Sequence, residues 1–362
     1  MMVNSITLLF FELVQIAVGT REGFSRVSSA KAWAVIFDTA KKQSLAGVLL
    51  AGLEKLPSAQ RPPQGLLLEW IGIQQMAVST NNNQDRRSKE LSEWFKENGY
   101  DSCIIKGQGV ARLYTQPELR QAGDIDIWVN ADSDDDVGKM LSEGIDVSVI
   151  DYVNCHAAFF DDVEVEVHFR PSYFFNPFAN RRLQKWIQKN KSVQMANFDD
   201  EVGFCYPTIA FNLVSSLIHI YRHVFSEGIG LRQLMDYYYI LTHSSNEERV
   251  NAYATLCSFG MQRFVVAVMY VLRIVFDMDE TLLLCEPNKD EGEFLLSEIM
   301  RGGNFGHYDD RNKYVSDEKR FLRGFNNAKR NMRFLRRYPS EVIWMPLWKT
   351  WHWCWRKWKG YL

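Results

Sequence analysis

The chain has little excess of either charge: 42 Lys and Arg stand against 44 Asp and Glu in 362 residues. A balance this even gives no bulk attraction to nucleic acid, so any basic surface has to be local. Grouped cysteines are missing too. Cys103, Cys155, Cys205, Cys257, Cys285 and Cys354 are scattered, with no CxxC and no zinc-type spacing. Neither a disulfide framework nor a structural zinc site is expected, and a reducing cytosol suits them. Long apolar runs are also absent. The run at 5–18 (SITLLFFELVQIAV) contains Glu12 and falls short of the roughly 20 apolar residues that cross a bilayer. It reads as a first helix packed on a core, and the protein as cytoplasmic. Hydrophobic residues at 46% and charged residues at 24% describe an ordinary globular chain, long enough for two or three domains.

What is present falls into three regions. Residues 1–100 follow helical spacing, with Pro57, Pro62 and Pro63 as boundaries and a long helix from about Gly65 through Trp94. Its polar stretch TNNNQDRR (80–87) reads as exposed helix or a break. The period then changes. Residues 102–106 form a strand, 107–114 a short helix and 124–129 a second strand. Asp132 suits the cap of a helix with Asp134, Asp135 and Asp136 in its first turn, where the dipole favours acids. Strand-like runs follow at 147–153, 157–160 and 163–169. From about Asn180 the spacing is helical again, interrupted by a Gly-rich, charged connection at 302–318. The expected fold is α+β: a small mixed sheet at 101–178 between helical regions at 1–100 and 179–362.

Acids alternate with apolar residues in two of these strands. In Gly123-Asp124-Ile125-Asp126-Ile127 the two aspartates share one strand face, and in Val163-Glu164-Val165-Glu166-Val167-His168 the acids and His168 share another. Carboxylates side by side repel, and burying them is costly without a cation. Asp124, Asp126 and Glu166 from neighbouring strands therefore suggest an oxygen-ligand site for Mg²⁺, or Mn²⁺ in its place. Such a site holds a nucleoside triphosphate, and its third acid shares a metal or takes a hydroxyl proton. A phosphate cradle is offered by Lys106-Gly107-Gln108-Gly109, where a strand gives way to a helix. Arg120 either reaches phosphate oxygens or pairs with a nearby acid. The P-loop is absent, and GQGVAR lacks the last glycine of GxGxxG, so neither a Walker nor a Rossmann site is supported.

In this order the motifs resemble the nucleotidyltransferase superfamily that includes DNA polymerase β and the aminoglycoside nucleotidyltransferases. That pattern is a strand, Gly-Gly or Gly-Ser opening a helix, Asp-x-Asp on the next strand and a later strand acid. More narrowly, IIKGQGVARLY, ELRQAGDIDIWV, VEVHFR and EGIGLRQLMDYYYIL look like a branch known only as uncharacterised nucleotidyltransferases. The resemblance implies Asp124 and Asp126 as the metal-binding pair, Glu166 as the third acid, and Gly107 and Gln108 as the phosphate turn. It also implies transfer of a nucleoside monophosphate from an NTP such as ATP to a hydroxyl acceptor. Gln108 stands where the wider superfamily has Gly or Ser, a feature the narrow branch shares.

Other residues are weighed beside these. Glu164 reads as a solvent-facing or salt-bridged neighbour, and His168 as an orienting group for Glu166 or the substrate, or as a structural histidine. Arg232 and Asp236, at i and i+4, read as an intrahelical ion pair on a helix that suits a place over the site. His219 and His223 lack the Glu of HExxH and a third ligand, so no zinc site is expected there. Trp344, Trp348, Trp351, Trp355 and Trp358 form one helical stripe with Lys349, Arg356, Lys357 and Lys359 among them. Docking onto the protein's own core ranks first for this stripe, a membrane surface or protein partner second, and nucleic acid third. Two alternative functions are a catalytically idle scaffold of the same fold and a DxD glycosyltransferase. The helical character of the residues before Ser102 disfavours the second.

Overall fold

A computed structural model describes residues 5–131, 137, 138, 141, 144–309, 311 and 330–361. The helix start expected at Asp132 to Asp136 and much of the 302–318 connection lie outside the described residues. In chain order the helices are α1 (Ser5–Val18), α2 (Ala30–Lys42), α3 (Ala46–Lys55), α4 (Gln64–Glu97), α5 (Gly107–Ala111) and α6 (Pro177–Met195). They continue with α7 (Ile209–Ser226), α8 (Leu231–Thr242), α9 (Asn246–Ser258), α10 (Gln262–Phe276), α11 (Lys289–Gly302) and α12 (Pro339–Lys359). The strands are β1 (Ser102–Ile105), β2 (Ile125–Val129), β3 (Val147–Ile150), β4 (Asn154–Ala157), β5 (Val165–His168), β6 (Phe198–Asp199) and β7 (Phe204–Cys205). Among the described residues no helix is long and apolar enough to cross a membrane.

The chain divides into two compact units, each assembled from separate stretches. The first takes Met1–Asn83, Ala111–Ala122 and Glu227–Asp310; the second takes Gln84–Val110, Gly123–Ser226 and Arg311–Leu362. The expected regions were contiguous; the observed units are not, and the division falls inside α4. In the first unit α10 (QRFVVAVMYVLRIVF) is apolar almost all round, so it sits at the centre, with Val265, Val268, Val271 and Leu272 fully buried. Helix ends follow local chemistry. Ser245 and Glu248 close a reciprocal capping box on α9, and Asp277 ends α10 in the left-handed conformation.

The second unit holds the five-stranded mixed sheet, in the order β1-β2-β5-β4-β3. β2 and β5 are parallel; the other pairs are antiparallel. Ile125, Ile127, Val165 and Val167 face a core shared with Leu91 and Phe95 of α4 and with Phe204. β2 is buried at all five positions and flanked on both sides, so its alternating acids do not mark a solvated edge. On the other face Trp128 stacks on Phe211, which stacks in turn on Trp186.

Two expectations about local structure are corrected. Strands were placed at 147–153 and 157–160, yet β4 is Asn154–Ala157, the gap between them plus the first residue of the second run. Cys155 and Ala157 face the core, while Asn154 and His156 face the polar side, so the strand has too little hydrophobicity to announce itself. The polar stretch 80–87 is neither a break nor plainly exposed: α4 runs through it, and Asn81 and Gln84 are buried. Each donates to the loop before β2: Asn81 Nδ2 to the Glu118 carbonyl at 2.9 Å and to that of Arg120, and Gln84 Nε2 to that of Gly123.

Within the second unit, Trp348 of α12 stacks on Tyr173 at 4.5 Å, and the ring edges of Tyr152 meet Trp351 and Trp355. Trp358 stays 80% exposed. At the start of α12, Glu341 is buried and accepts the Phe175 N–H at 2.9 Å. Burial pushes its carboxyl up to about 7, against the opposing pull of that N–H. The unfolded chain then loses this proton at lower pH than the folded one. Stability from this group is full below the ordinary carboxyl range and falls by about 3 kcal/mol as pH rises through 7. In Glu341→Gln, the difference from wild type in urea midpoint is expected to grow in the variant's favour between pH 5 and 8. A difference that stays constant across that range would show that Glu341 is ionised throughout.

Candidate active site

The strand register brings the site together. Asp126 of β2 lies opposite Glu166 of β5, and Ile105 at the end of β1 lies opposite Asp126 from the other side. One residue after β1, Lys106 adopts the left-handed conformation, with φ of +58°, which is uncommon for a residue with a Cβ. From there Lys106 Nζ donates to Asp126 Oδ1 at 2.7 Å. His168 Nε2 meets the same oxygen at 2.6 Å and Glu166 Oε2 at 3.3 Å. Its Nδ1 faces the Arg170 carbonyl oxygen at 3.2 Å. A carbonyl oxygen only accepts, and so does an ionised carboxylate, so both ring nitrogens carry protons and His168 is an imidazolium.

The electrostatics agree with that geometry. Burial opposes ionisation of Asp126, but Lys106 and His168 overcome it and hold the carboxyl well below its usual range. Glu166 is likewise lowered against burial by its hydrogen bond to His168. His168 and Lys106 are both raised: burial disfavours their charges, and the carboxylates outweigh it. Asp124 behaves differently. The charge on Asp126, with burial behind it, pushes Asp124 up to about 6. Three carboxyls thus face two cations, and the least favoured of the three, Asp124, is the one whose carboxyl is raised.

Asp126, Glu166 and His168 form the one set of three metal-ligating side chains within reach of a single ion among the described residues, with ligand atoms within 4.8 Å of one another. Asp124 lies just before β2 rather than in it. Glu164 is exposed, in keeping with a solvent-facing neighbour. His219 and His223 face each other at 4.2 Å, and burial keeps His219 well below its usual range, hence neutral.

The phosphate turn has unequal glycines. A Cβ at Gly109 would collide with the Ile104 carbonyl oxygen and stand 3.2 Å from Tyr206 Cβ, so this glycine is needed for packing. At Gly107 the nearest atom is the Asp124 carbonyl oxygen at 3.7 Å, an ordinary contact. α5 has only five residues, so its dipole is a weak contributor to any phosphate seat. Gly109→Ala is expected to destabilise the protein by about 1–3 kcal/mol. Gly107→Ala should leave the melting temperature within about 2 °C while weakening NTP binding, read by thermal unfolding and by titration. Equal loss of stability in both variants would remove Gly107 from the ligand site.

Arg120 and Arg232 lie in the first unit. Arg120 donates Nε and Nη2 to Asp236 at 2.7 and 2.9 Å, and Tyr114 Oη donates to Asp236 Oδ1 at 2.7 Å. Of the two alternatives for Arg120, pairing with an acid is the one seen, through two of its nitrogens, and the acid is Asp236. Asp236 accepts with both oxygens from Arg120, and the charge of Arg232 also holds its carboxyl down. Arg232 Nη1 donates to the Gln121 carbonyl at 2.7 Å.

Sequence reasoning missed three polar neighbours. Asn154 Nδ2 donates to Glu166, His156 Nε2 lies 3.6 Å from its other oxygen, and Asp85 of α4 accepts from Gln108 Nε2 at 2.7 Å. The alternation of Asn154 and His156 was a usable signal; Asp85 on a polar helix face was not.

A strand, a glycine turn and carboxylates in register on two parallel neighbours define the nucleotidyltransferase class. The chain belongs to a family described as uncharacterised nucleotidyltransferase, whose model matches residues 29–277. No curated protein matches it.

Proposed function

We propose that the protein transfers a nucleoside monophosphate from an NTP to a hydroxyl acceptor, with a divalent cation held by Asp124, Asp126 and Glu166. The observation that supports this most directly is the register of Asp126 opposite Glu166, with Lys106 on the same oxygen as His168. The donor set fits the cation: carboxylate oxygens of this kind suit Mg²⁺ or Mn²⁺. Bound there, the cation would neutralise triphosphate charge.

The residues of the chain do the rest. Lys106 holds its proton and presents a point charge to the phosphates, and Gly107 leaves room for phosphate oxygens to approach the backbone. The acceptor hydroxyl gives its proton to solvent as its oxygen bonds to the α-phosphorus and the bridge to the β-phosphorus breaks, releasing pyrophosphate. Glu166 has its proton affinity held down by His168, which favours completing the ligand set over taking the acceptor's proton. His168 is a positioning residue, orienting both carboxylates. Incubation with each labelled NTP and Mg²⁺ or Mn²⁺ tests the reading: pyrophosphate release should need the metal and be lost in Asp124→Ala and Asp126→Ala. Release that survives both substitutions, or no NTP binding by wild type, would overturn it.

A further inference from the structure

A groove of about 730 Å³ runs between α6 and α12 in the second unit, and it contains none of the carboxylates of the strand cluster. Its size is that of a small-molecule site, which spans roughly 300–1,000 Å³. The two walls differ in chemistry. α12 contributes Trp344, Leu347, Trp348 and Trp351, an i, i+3, i+4, i+7 face that is wholly apolar, over a floor of Phe174, Phe175 and Tyr152. α6 contributes Pro177 at its start and then Asn180, Arg181, Gln184, Lys185 and Gln188, a helical face of amides and cations. No acid lines the groove among the described residues.

We propose that this groove binds a phosphorylated sugar, with or without an attached base. An aromatic wall wants a flat ring face to stack on. Asn180 and Gln184 are engaged within the protein, Asn180 with the Phe174 N–H and Tyr152 Oη and Gln184 with the Ser172 carbonyl, so the polar edges of a ligand would meet Gln188 and the two cations. A lipid tail would lay hydrocarbon along Arg181, Lys185 and Gln188, which argues against it. Arg181 and Lys185 without an opposing carboxylate call for an anion, and Arg181 matches a phosphate ester in a forked geometry. Trp351 is 47% exposed and lines the groove with Tyr152 against it.

The test uses the full-length protein in EDTA, which silences metal-dependent nucleotide uptake at the carboxylates. Intrinsic tryptophan fluorescence and calorimetry follow titration with glucose 6-phosphate, AMP, glucose, inorganic phosphate and phosphatidylglycerol vesicles. Saturable binding of at least one phosphate ester is expected, with glucose and phosphate weaker by about tenfold or more, the effect of a lost charged contact. Arg181→Ala with Lys185→Ala, and separately Trp351→Ala, should each raise the Kd for the ester about tenfold, while Lys189→Ala does not. All these positions are exposed, so circular dichroism should match wild type. Tighter AMP assigns the base to the tryptophan stack, and tighter glucose 6-phosphate assigns the pyranose; both support the proposal. Absence of ester binding, ester binding that ignores both groove variants, or binding to vesicles alone overturns it.

Discussion

In Asp126→Asn, metal-dependent pyrophosphate release is expected to fall at least ~10²-fold while the protein stays folded. The size follows from loss of one preorganised charged group in a low-dielectric site. Asparagine keeps the shape but not the charge, so Lys106 and His168 would face each other across a neutral amide. Each raises the other's cost of ionisation, so the His168 proton is held less tightly. Asp124 moves the other way: the charge on Asp126 is the first cause of its raised value of about 6, so that value should drop towards the ordinary carboxylate range. Carboxyl and imidazole chemical shifts followed through a pH titration read both changes. Near-wild-type release in Asp126→Asn, with the titrations of His168 and Asp124 unmoved, would mean that the chemistry lies elsewhere.

Arg120→Ala should lower the melting temperature by on the order of 10 °C, corresponding to roughly 3–5 kcal/mol. The reason is what stays behind. Asp236, with a side chain 15% exposed, is held as a carboxylate, below its ordinary range, against burial, by the Arg120 guanidinium first, then by the charge of Arg232 and the Tyr114 hydroxyl. Removing the guanidinium leaves an uncompensated buried charge, far more costly than the pair itself is favourable. The double replacement Arg120→Leu, Asp236→Leu should therefore recover part of the loss, a coupling that a double-mutant cycle measures. The opposite result is also informative. An unchanged melting temperature with NTP binding lost would return Arg120 to the role of a phosphate ligand.

The two cases show what a linear sequence displays. Asp126 and Glu166 were legible because strand alternation has period two, and acids interrupting a run of Ile or Val stand out against it. Lys106-Gly107 was legible as a strand-to-helix turn. β4 was not, since Asn154-Cys155-His156-Ala157 has no strong apolar pair to reveal the period. Asp236 sits 116 residues from Arg120, and no local spacing connects them. Asn81, Gln84 and Asp85 looked like a solvated helix face because buried amides that satisfy loop carbonyls have the same composition as exposed ones. Contacts set by tertiary pairing are where sequence reading stopped.

The in-register pair across β2 and β5 has a consequence for how the chain selects its own fold. These strands are parallel and joined by a long crossover, so their alignment is fixed late and without a tight turn to guide it. A slip of one residue would exchange Glu166 and His168 for Val165 and Val167 on that face. Asp126 would then sit among valines with its imidazolium gone, a state disfavoured by the cost of an ill-matched buried charge. The same residues that are proposed to handle phosphate therefore proofread the alignment of the sheet, and substitutions of His168 are expected to scramble folding as well as chemistry.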